Sequence, residues 1–214
     1  IATSDISGFL VSKKNPKKIK SYNKGSWWIQ DFSSFFPLFN FEEKNKYKNY
    51  LDACAAPGGK SFQLLSKKFD VTLNDKSPFR LKILKLNLKR LKFEAKILNK
   101  DFINFKSDRK YDVIIIDAPC SAVGTIRKNP EIFFKSKEPD FKNLLKNQEE
   151  MLLKGATLLN TNGLIIYMVC SFLKIETDDQ INKFLKRKTN FDLYNFKKNN
   201  RNINYSKLIK DNCM

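Results

Sequence analysis

The feature that most constrains this chain begins at Tyr50, where short apolar runs start to alternate with longer stretches of helical periodicity. One run, Tyr111–Ile116, reads Tyr-Asp-Val-Ile-Ile-Ile and is almost continuously apolar. Rich in β-branched residues, it is what a strand buried on both faces should look like. Shorter strands are predicted at Tyr50–Cys54, Val71–Asn74, Ala95–Leu98 and Leu164–Val169, with a further one at Phe191–Phe196. Between them a helix starts near Lys60. A second starts with Ser77 as its cap and Pro78 at its first position, and carries Leu81, Leu84, Leu88 and Leu91 on one face. A third helix is expected from about Asp140 to Leu159, followed by a turn at Asn162-Gly163, and a fourth from Glu176 to Lys188. This β–α alternation predicts a Rossmann-like α/β fold, a mostly parallel sheet with helices on both faces.

Residues 1–48 stand outside the alternation and are expected to form an N-terminal extension, with the main α/β domain at 49–214. The Lys-rich stretch from Lys13 to Lys20 reads as a solvated segment. The aromatic density from Gly25 through Trp27, Trp28, Phe32, Phe35 and Phe36 predicts a helix packed on the main body, with at least one of the two Trp buried in that packing. With 214 residues, 42% of them hydrophobic, the chain suits one compact core. No run approaches the ~18–20 apolar residues that cross a bilayer. Nor does the N-terminus read as a secretory signal. A cytoplasmic monomer is expected. Because Ile1 is not an initiator Met, material is expected to be missing at both ends.

Composition also limits the chemistry. The chain has no His, and none of its four Cys (Cys54, Cys120, Cys170, Cys213) forms a C-x-x-C pair. Zinc sites and His-dependent triads are therefore not expected, and no metal is assigned. The net charge of +19 attracts polyanions such as RNA. Lys-, Asn- and Ile-rich composition also follows from an AT-rich genome, so the charge alone decides nothing.

In an open α/β sheet, ligands sit at the carboxyl ends of the strands. After the first strand comes Cys54-Ala55-Ala56-Pro57-Gly58-Gly59-Lys60. There two Gly leave room for a cofactor against the backbone, and a helix N-terminus offers N–H groups to a carboxylate. Asp75 ends the second strand, where an acid can hold ribose hydroxyls, and Asp101 lies just past the third, placed for an adenine edge. The fourth strand leads into Asp117-Ala118-Pro119-Cys120-Ser121, then Gly124 and Arg127-Lys128-Asn129-Pro130-Glu131. The fifth leads into Cys170-Ser171, with Glu176 close behind. Two thiols at neighbouring strand ends in a His-free chain suit one reaction. Carbon 5 of cytosine becomes nucleophilic only after something adds to carbon 6, and a thiolate can do so.

The segments at 52–60, 117–131 and 170–176 resemble those of the Sun/RsmB family of RNA (cytosine-5) methyltransferases, and Gly25–Asp31 resembles that family's entry segment. The 16S ribosomal RNA type is the expected branch. The resemblance implies an S-adenosylmethionine-dependent methyltransferase fold and an RNA substrate. It implies that Cys54, Ala55, Ala56, Pro57, Gly58, Gly59, Lys60, Asp75 and Asp101 line S-adenosylmethionine, with Asp117 touching both cofactor and base. Cys170 is then the nucleophile at carbon 6 and Cys120 assists product release. Lys60 orients the base and Arg127 contacts substrate phosphate. DNA cytosine methyltransferases are similar only through a Pro-Cys pair followed by Gln, whereas Pro119-Cys120 precedes Ser121.

The chain departs from the family pattern at Ala122, Lys128, Val169 and Thr177-Asp178, where Gly, Arg, Thr and Asn-Glu are usual. It also lacks a clear Asp-Gly-Phe-Phe segment near its end. The alternatives these departures leave open are a transfer RNA cytosine-5 methyltransferase and a degenerate RNA-binding module of the same fold. A methyltransferase acting on a small molecule or protein is a further rival, distinguished by surviving loss of Cys170.

Overall fold

A computed structural model of the chain describes residues 2–3, 8–9, 15–41, 46–134 and 138–194. The alternation closes into a sheet of five strands: β1 (Asn49–Asp52), β2 (Asp70–Asn74), β3 (Lys96–Leu98), β4 (Tyr111–Asp117) and β5 (Leu159–Met168). Every neighbouring pair is parallel, in the order β3-β2-β1-β4-β5. The chain runs outward from β1 to β3, then crosses back to place β4 on the other side of β1. That reversal opens a crevice outside the carboxyl ends of β1 and β4, the place where folds of this kind hold ligands. A separate antiparallel pair joins Ala2–Thr3 to Gly8–Phe9.

The α-helices of seven residues or more are α1 (Phe32–Asn40), α2 (Gly59–Leu65), α3 (Pro78–Leu91), α4 (Phe141–Leu158) and α5 (Asp178–Arg187). The apolar run of β4 is divided between two cores by the period of two along a strand. Val113 and Ile115 pack with Tyr50, Leu38, Phe62 and the α3 leucines, whereas Ile114 and Ile116 pack with Leu51, Met151, Leu152 and Phe184 on the opposite face. In α3 the Ser77 hydroxyl accepts from the Arg80 amide, and Leu81, Leu84, Leu88 and Leu91 are buried as predicted. Each such Leu contributes about 1.5–3 kcal/mol relative to an exposed one.

Three sequence expectations are corrected. Asn162-Gly163 is not a turn ahead of a strand, because β5 starts directly after α4 at Leu159. The pairing jumps from Tyr111↔Leu159 to Val113↔Leu164, so the pair lies in a bulge within the strand. Asn160 Nδ2 holds that bulge to Asp112 Oδ1 at 2.6 Å. A Cβ on Gly163 would come within 2.9 Å of the Asp112 carbonyl oxygen, which requires glycine there. Residues 191–194 form no strand, and the rest of the strand expected at Phe191–Phe196 lies outside the described residues, as does Cys213.

The aromatic entry segment is helical only from Phe32, where the Asp31 carboxylate accepts from the Ser33 amide at 3.0 Å. Before it, Gly25 adopts φ +78°, and a Cβ there would lie 1.8 Å from the Arg90 carbonyl oxygen. Trp28 packs edge-on against Phe62 and Phe93, which pins the extended stretch to the sheet's α2–α3 side.

Candidate active site

All the strand-end residues singled out above fall along one edge of the sheet, in the order the topology dictates. On the β1–β3 side, Asn74 ties the strand ends together. Its Nδ2 donates to the carbonyls of Ala53 (3.0 Å) and Lys100 (3.1 Å), and its Oδ1 accepts from the Lys100 amide. The amide of Ala55 donates to the Asn74 carbonyl at 2.8 Å. Asp75 is buried beside the Cys54–Lys60 loop, accepting from the Ala56 amide at 3.2 Å and the Ser77 amide at 2.9 Å. Arg80 pairs with Asp75 at 3.4 Å and also donates to the Ala56 carbonyl. Asp101 is exposed beyond β3, where its carboxylate accepts from the Ile103 amide at 3.1 Å.

The two loop glycines differ in what surrounds them. Gly58 has φ +119°, and its hypothetical Cβ would lie 2.0 Å from the Phe62 ring, so its need for glycine is internal packing. A Cβ at Gly59 would meet only Gln30, at an ordinary 3.5 Å. Gln30 in turn links Trp28 (2.9 Å) to Gln63 (2.7 Å), which fastens the entry segment to α2.

On the β4–β5 side, Lys60 Nζ meets Asp117 Oδ2 at 2.7 Å, with the Lys side chain almost buried. Beneath it, Asp52 is buried and accepts from the Ser61 hydroxyl at 2.6 Å. Burial carries the Asp52 carboxyl up to about 6. Cys120 and Cys170 lie side by side, since the Cys170 amide donates to Cys120 Sγ at 3.2 Å. Gly124 seals the back of Cys170 through its amide, 3.0 Å from the Cys170 carbonyl. Cys170 is exposed and Cys120 partly buried. Burial pushes both thiols above their ordinary range, and for Cys170 the Asp117 charge adds to the effect while Lys60 opposes it. Burial drives Cys54 to about 12, so that thiol stays protonated at neutral pH.

Several residues at the site carried no assigned role from sequence. Glu176 is fully buried and accepts from the Ser121 amide (2.9 Å), the Ser121 hydroxyl and Gln148 Nε2 (3.0 Å). Burial would raise its carboxyl, but these hydrogen bonds outweigh it and hold the group below its ordinary range. Asp31 forms an ion pair with Lys128, and that bond, with Ser33, brings its carboxyl down to about 2. The two charges act on Cys170 in opposite directions, Asp31 raising its thiol and Lys128 lowering it. Asp31 follows Gln30 in the entry motif, which was the available signal. Arg127, expected on phosphate, is exposed and makes no hydrogen bond or ion pair among the described residues.

Among the described residues no group of His, Cys, Asp or Glu is arranged to hold a metal, and no helix is long and apolar enough to cross a membrane. The family model described as "16S rRNA methyltransferase RsmB/F" matches residues 39–210. Ribosomal RNA small subunit methyltransferase B of Shewanella oneidensis is 38% identical over 189 residues, covering 86% of this chain and 44% of that protein. The protein of the same name from Enterobacter sp. is 32% identical over 208 residues, covering 90% and 48%. The chain thus spans under half the length of these curated relatives. Among solved structures, PH0851 aligns with TM-score 0.72 at 28% identity, over 82% of this chain and 41% of that one. NSun6 from Pyrococcus horikoshii with SFG aligns with TM-score 0.71 at 27% identity, over 80% and 45%.

Proposed function

The chain belongs to the 16S rRNA methyltransferase RsmB/F family, and from that premise we propose that it methylates carbon 5 of cytosine in ribosomal RNA, with S-adenosylmethionine as donor. The observation that carries the reading is the cluster of Cys170, Cys120, Asp117 and Lys60 at the crevice between β1 and β4. The relatives are named for ribosomal RNA methylation, and one structural neighbour holds SFG, an analogue of S-adenosylmethionine. In this reading residues 49–214 carry the chemistry and residues 1–48 supply the entry segment, including Asp31.

The residues on the β1–β3 side fit the cofactor. The Cys54–Lys60 loop, Asp75 and Asp101 follow one another across three adjacent strand ends, an acid for the ribose and one for the base beyond a small-residue loop. Arg80 is half-exposed, so it can leave Asp75 when a ribose takes its place. When bound, S-adenosylmethionine supplies an electrophilic methyl group at the edge of the β4–β5 cluster.

The chain's own residues prepare the base. A cytosine must leave its stack to reach Cys170, at a cost of a few kcal/mol that is least in looped or single-stranded RNA. Asp117 Oδ1 accepts no hydrogen bond among the described residues and is available to the amine on carbon 4, while Lys60 places a donor beside the ring. The Cys170 thiolate forms a bond to carbon 6, the electron pair of the 5,6 double bond moves into the ring, and carbon 5 becomes nucleophilic. After methylation a base takes the proton from carbon 5, with Cys120 placed to assist; the freed electron pair re-forms the 5,6 double bond as the carbon–sulfur bond breaks and Cys170 departs as thiolate. Arg127, exposed on the loop after Cys120, is free to meet a phosphate of the RNA.

The test is methyl transfer from labelled S-adenosylmethionine to small-subunit ribosomal RNA and to transfer RNA, with bisulfite sequencing of both. Label at cytosine in the ribosomal RNA is expected. Label in transfer RNA alone would overturn the substrate, and RNA binding without cofactor uptake would overturn the enzyme.

A further inference from the structure

Each of the two thiols at the site is followed by a serine, in Cys120-Ser121 and Cys170-Ser171, and both serines sit at one buried carboxylate, Ser121 bonded to it directly and Ser171 beside Ser121. Glu176 Oε1 accepts from the Ser121 amide at 2.9 Å and from Gln148 Nε2 at 3.0 Å, and Oε2 accepts from the Ser121 hydroxyl. The Oγ atoms of Ser121 and Ser171 lie 3.4 Å apart, and the Ser171 hydroxyl helps hold the carboxylate ionised. Gln148 extends the brace to the other side of Cys120 by donating to the Pro119 carbonyl at 3.0 Å. Tyr167 on β5 donates to the Glu176 carbonyl at 2.9 Å, so the carboxylate's own backbone is fixed to the sheet. Among the described residues the Glu176 carboxylate makes no hydrogen bond to either thiol.

We propose that Glu176 is a positioning residue that sets the distance between the Cys120 and Cys170 thiols by holding the serine after each. The inference rests on the reading of these cysteines as the reacting pair, and gives that pair its geometry. The two cysteines leave different strands, β4 and β5, and their loops share few other bonds: the Cys170 amide to Cys120 Sγ and the Gly124 amide to the Cys170 carbonyl. A carboxylate accepting from several donors suits the task, because it is buried with its hydrogen bonds made and resists displacement. A glutamine at 176 would fill the same space, but its NH2 would face donors and break the brace on one side.

Two experiments test this. In methyl transfer, Glu176→Gln is expected to lower kcat by about 10- to 100-fold, as ångström-scale misplacement does, with KM for RNA and cofactor affinity little changed. Ser171→Ala should produce a smaller fall, and adding it to Glu176→Gln should cost less than ~3-fold more, since the two act through one network. A general loss of fold would instead lower the melting temperature and reduce cofactor uptake along with kcat. The second readout needs no RNA. With Cys54 and Cys213 replaced by Ser, glutathione disulfide is titrated against glutathione, so that two thiols and one glutathione disulfide give the Cys120–Cys170 disulfide and two glutathiones. The effective concentration of the pair is expected to fall at least about tenfold in Glu176→Gln, because freeing the loops lowers the encounter of their thiols. If Glu176→Gln does not fold, Ser121→Ala and Ser171→Ala carry both readouts. An unchanged effective concentration overturns the inference. Absence of methylation by the unaltered chain overturns the enzyme reading and leaves the thiol titration to decide the brace.

Discussion

The main-chain N–H of Cys170 donates to Sγ of Cys120 across 3.2 Å, so the two thiols meet asymmetrically. Cys170 is an exposed residue whose sulfur accepts no hydrogen bond among the described residues, whereas Cys120 has a lone pair turned into the protein. That asymmetry favours attack by Cys170 and a second role for Cys120. Cys170→Ala is expected to abolish methyl transfer. Cys120→Ala is expected to retain attack but slow release by the ~10²–10⁴-fold typical of a lost proton-transfer group, and so to accumulate a covalent protein–RNA adduct. A denaturing gel with labelled RNA checks this, and RNA that runs free of the Cys120→Ala protein would reverse the division of roles.

The Lys60–Asp117 pair should separate stability from activity. Each partner leaves the other's charge in a site where Lys60 is almost buried, so Lys60→Met or Asp117→Asn alone is expected to cost about 1–3 kcal/mol of stability, discounted for the partial exposure of Asp117. The double variant should recover much of that loss, because no unpaired charge remains. Methyl transfer should stay down by roughly 10²-fold or more in all three. Melting temperatures and single-turnover rates, measured side by side, decide it. Activity returning with stability would mean that the pair only holds the fold.

The Cys170 thiol should be slow to ionise. Burial raises it, Asp117 raises it further, and Lys60 lowers it. Thiolate content, and with it alkylation by iodoacetamide, should therefore climb with pH beyond the ordinary range near 9 rather than level off at neutrality. Lys60→Met should move the alkylation midpoint up and Asp117→Asn should move it down. Rates are followed by mass spectrometry of the Cys170 peptide. A midpoint near neutrality in the unaltered chain would mean that some other group activates the thiol.

The parts of the fold set by local pattern were legible in the sequence. The β-branched run of β4 and the four-leucine face of α3 each have only one way to be buried, and Ser77-Pro78 marked its helix start to the residue. Asn162-Gly163 misled because the same dipeptide that makes a turn also makes a bulge, and the choice depends on Asp112, distant in sequence. At the site, each strand end pointed to its ligand side, but the partners joined across strands did not show. Neither the link from Glu176 to Ser121 nor that from Asp31 to Lys128 has a periodic signature, since each joins residues brought together only by the sheet order. The packing of the Phe62 ring against Gly58 likewise has no signature in the Gly-Gly pair.

Asp52 provides a test that depends on the fold alone. Its carboxyl is wholly buried under α2, accepts from the Ser61 hydroxyl and the Cys54 amide, and is carried by burial from an ordinary 3.8 to about 6. A folded-state value above the unfolded one means that the protonated form favours folding. Its contribution is full below about 3.8, declines as pH rises through about 6, and is gone above that. A displacement of this size corresponds to about 3 kcal/mol. Asn at this position cannot ionise, yet it can still accept one hydrogen bond and donate another. The stability of Asp52→Asn relative to the unaltered chain should therefore increase between pH 4 and pH 6.5, by about 2–3 kcal/mol, and then level off. Urea unfolding midpoints across that range measure the difference directly, with all other carboxylates common to both proteins. A difference that does not change with pH would mean that Asp52 ionises in the folded chain as easily as in the unfolded one, and that its bonds to Ser61 and Cys54 fully offset its burial.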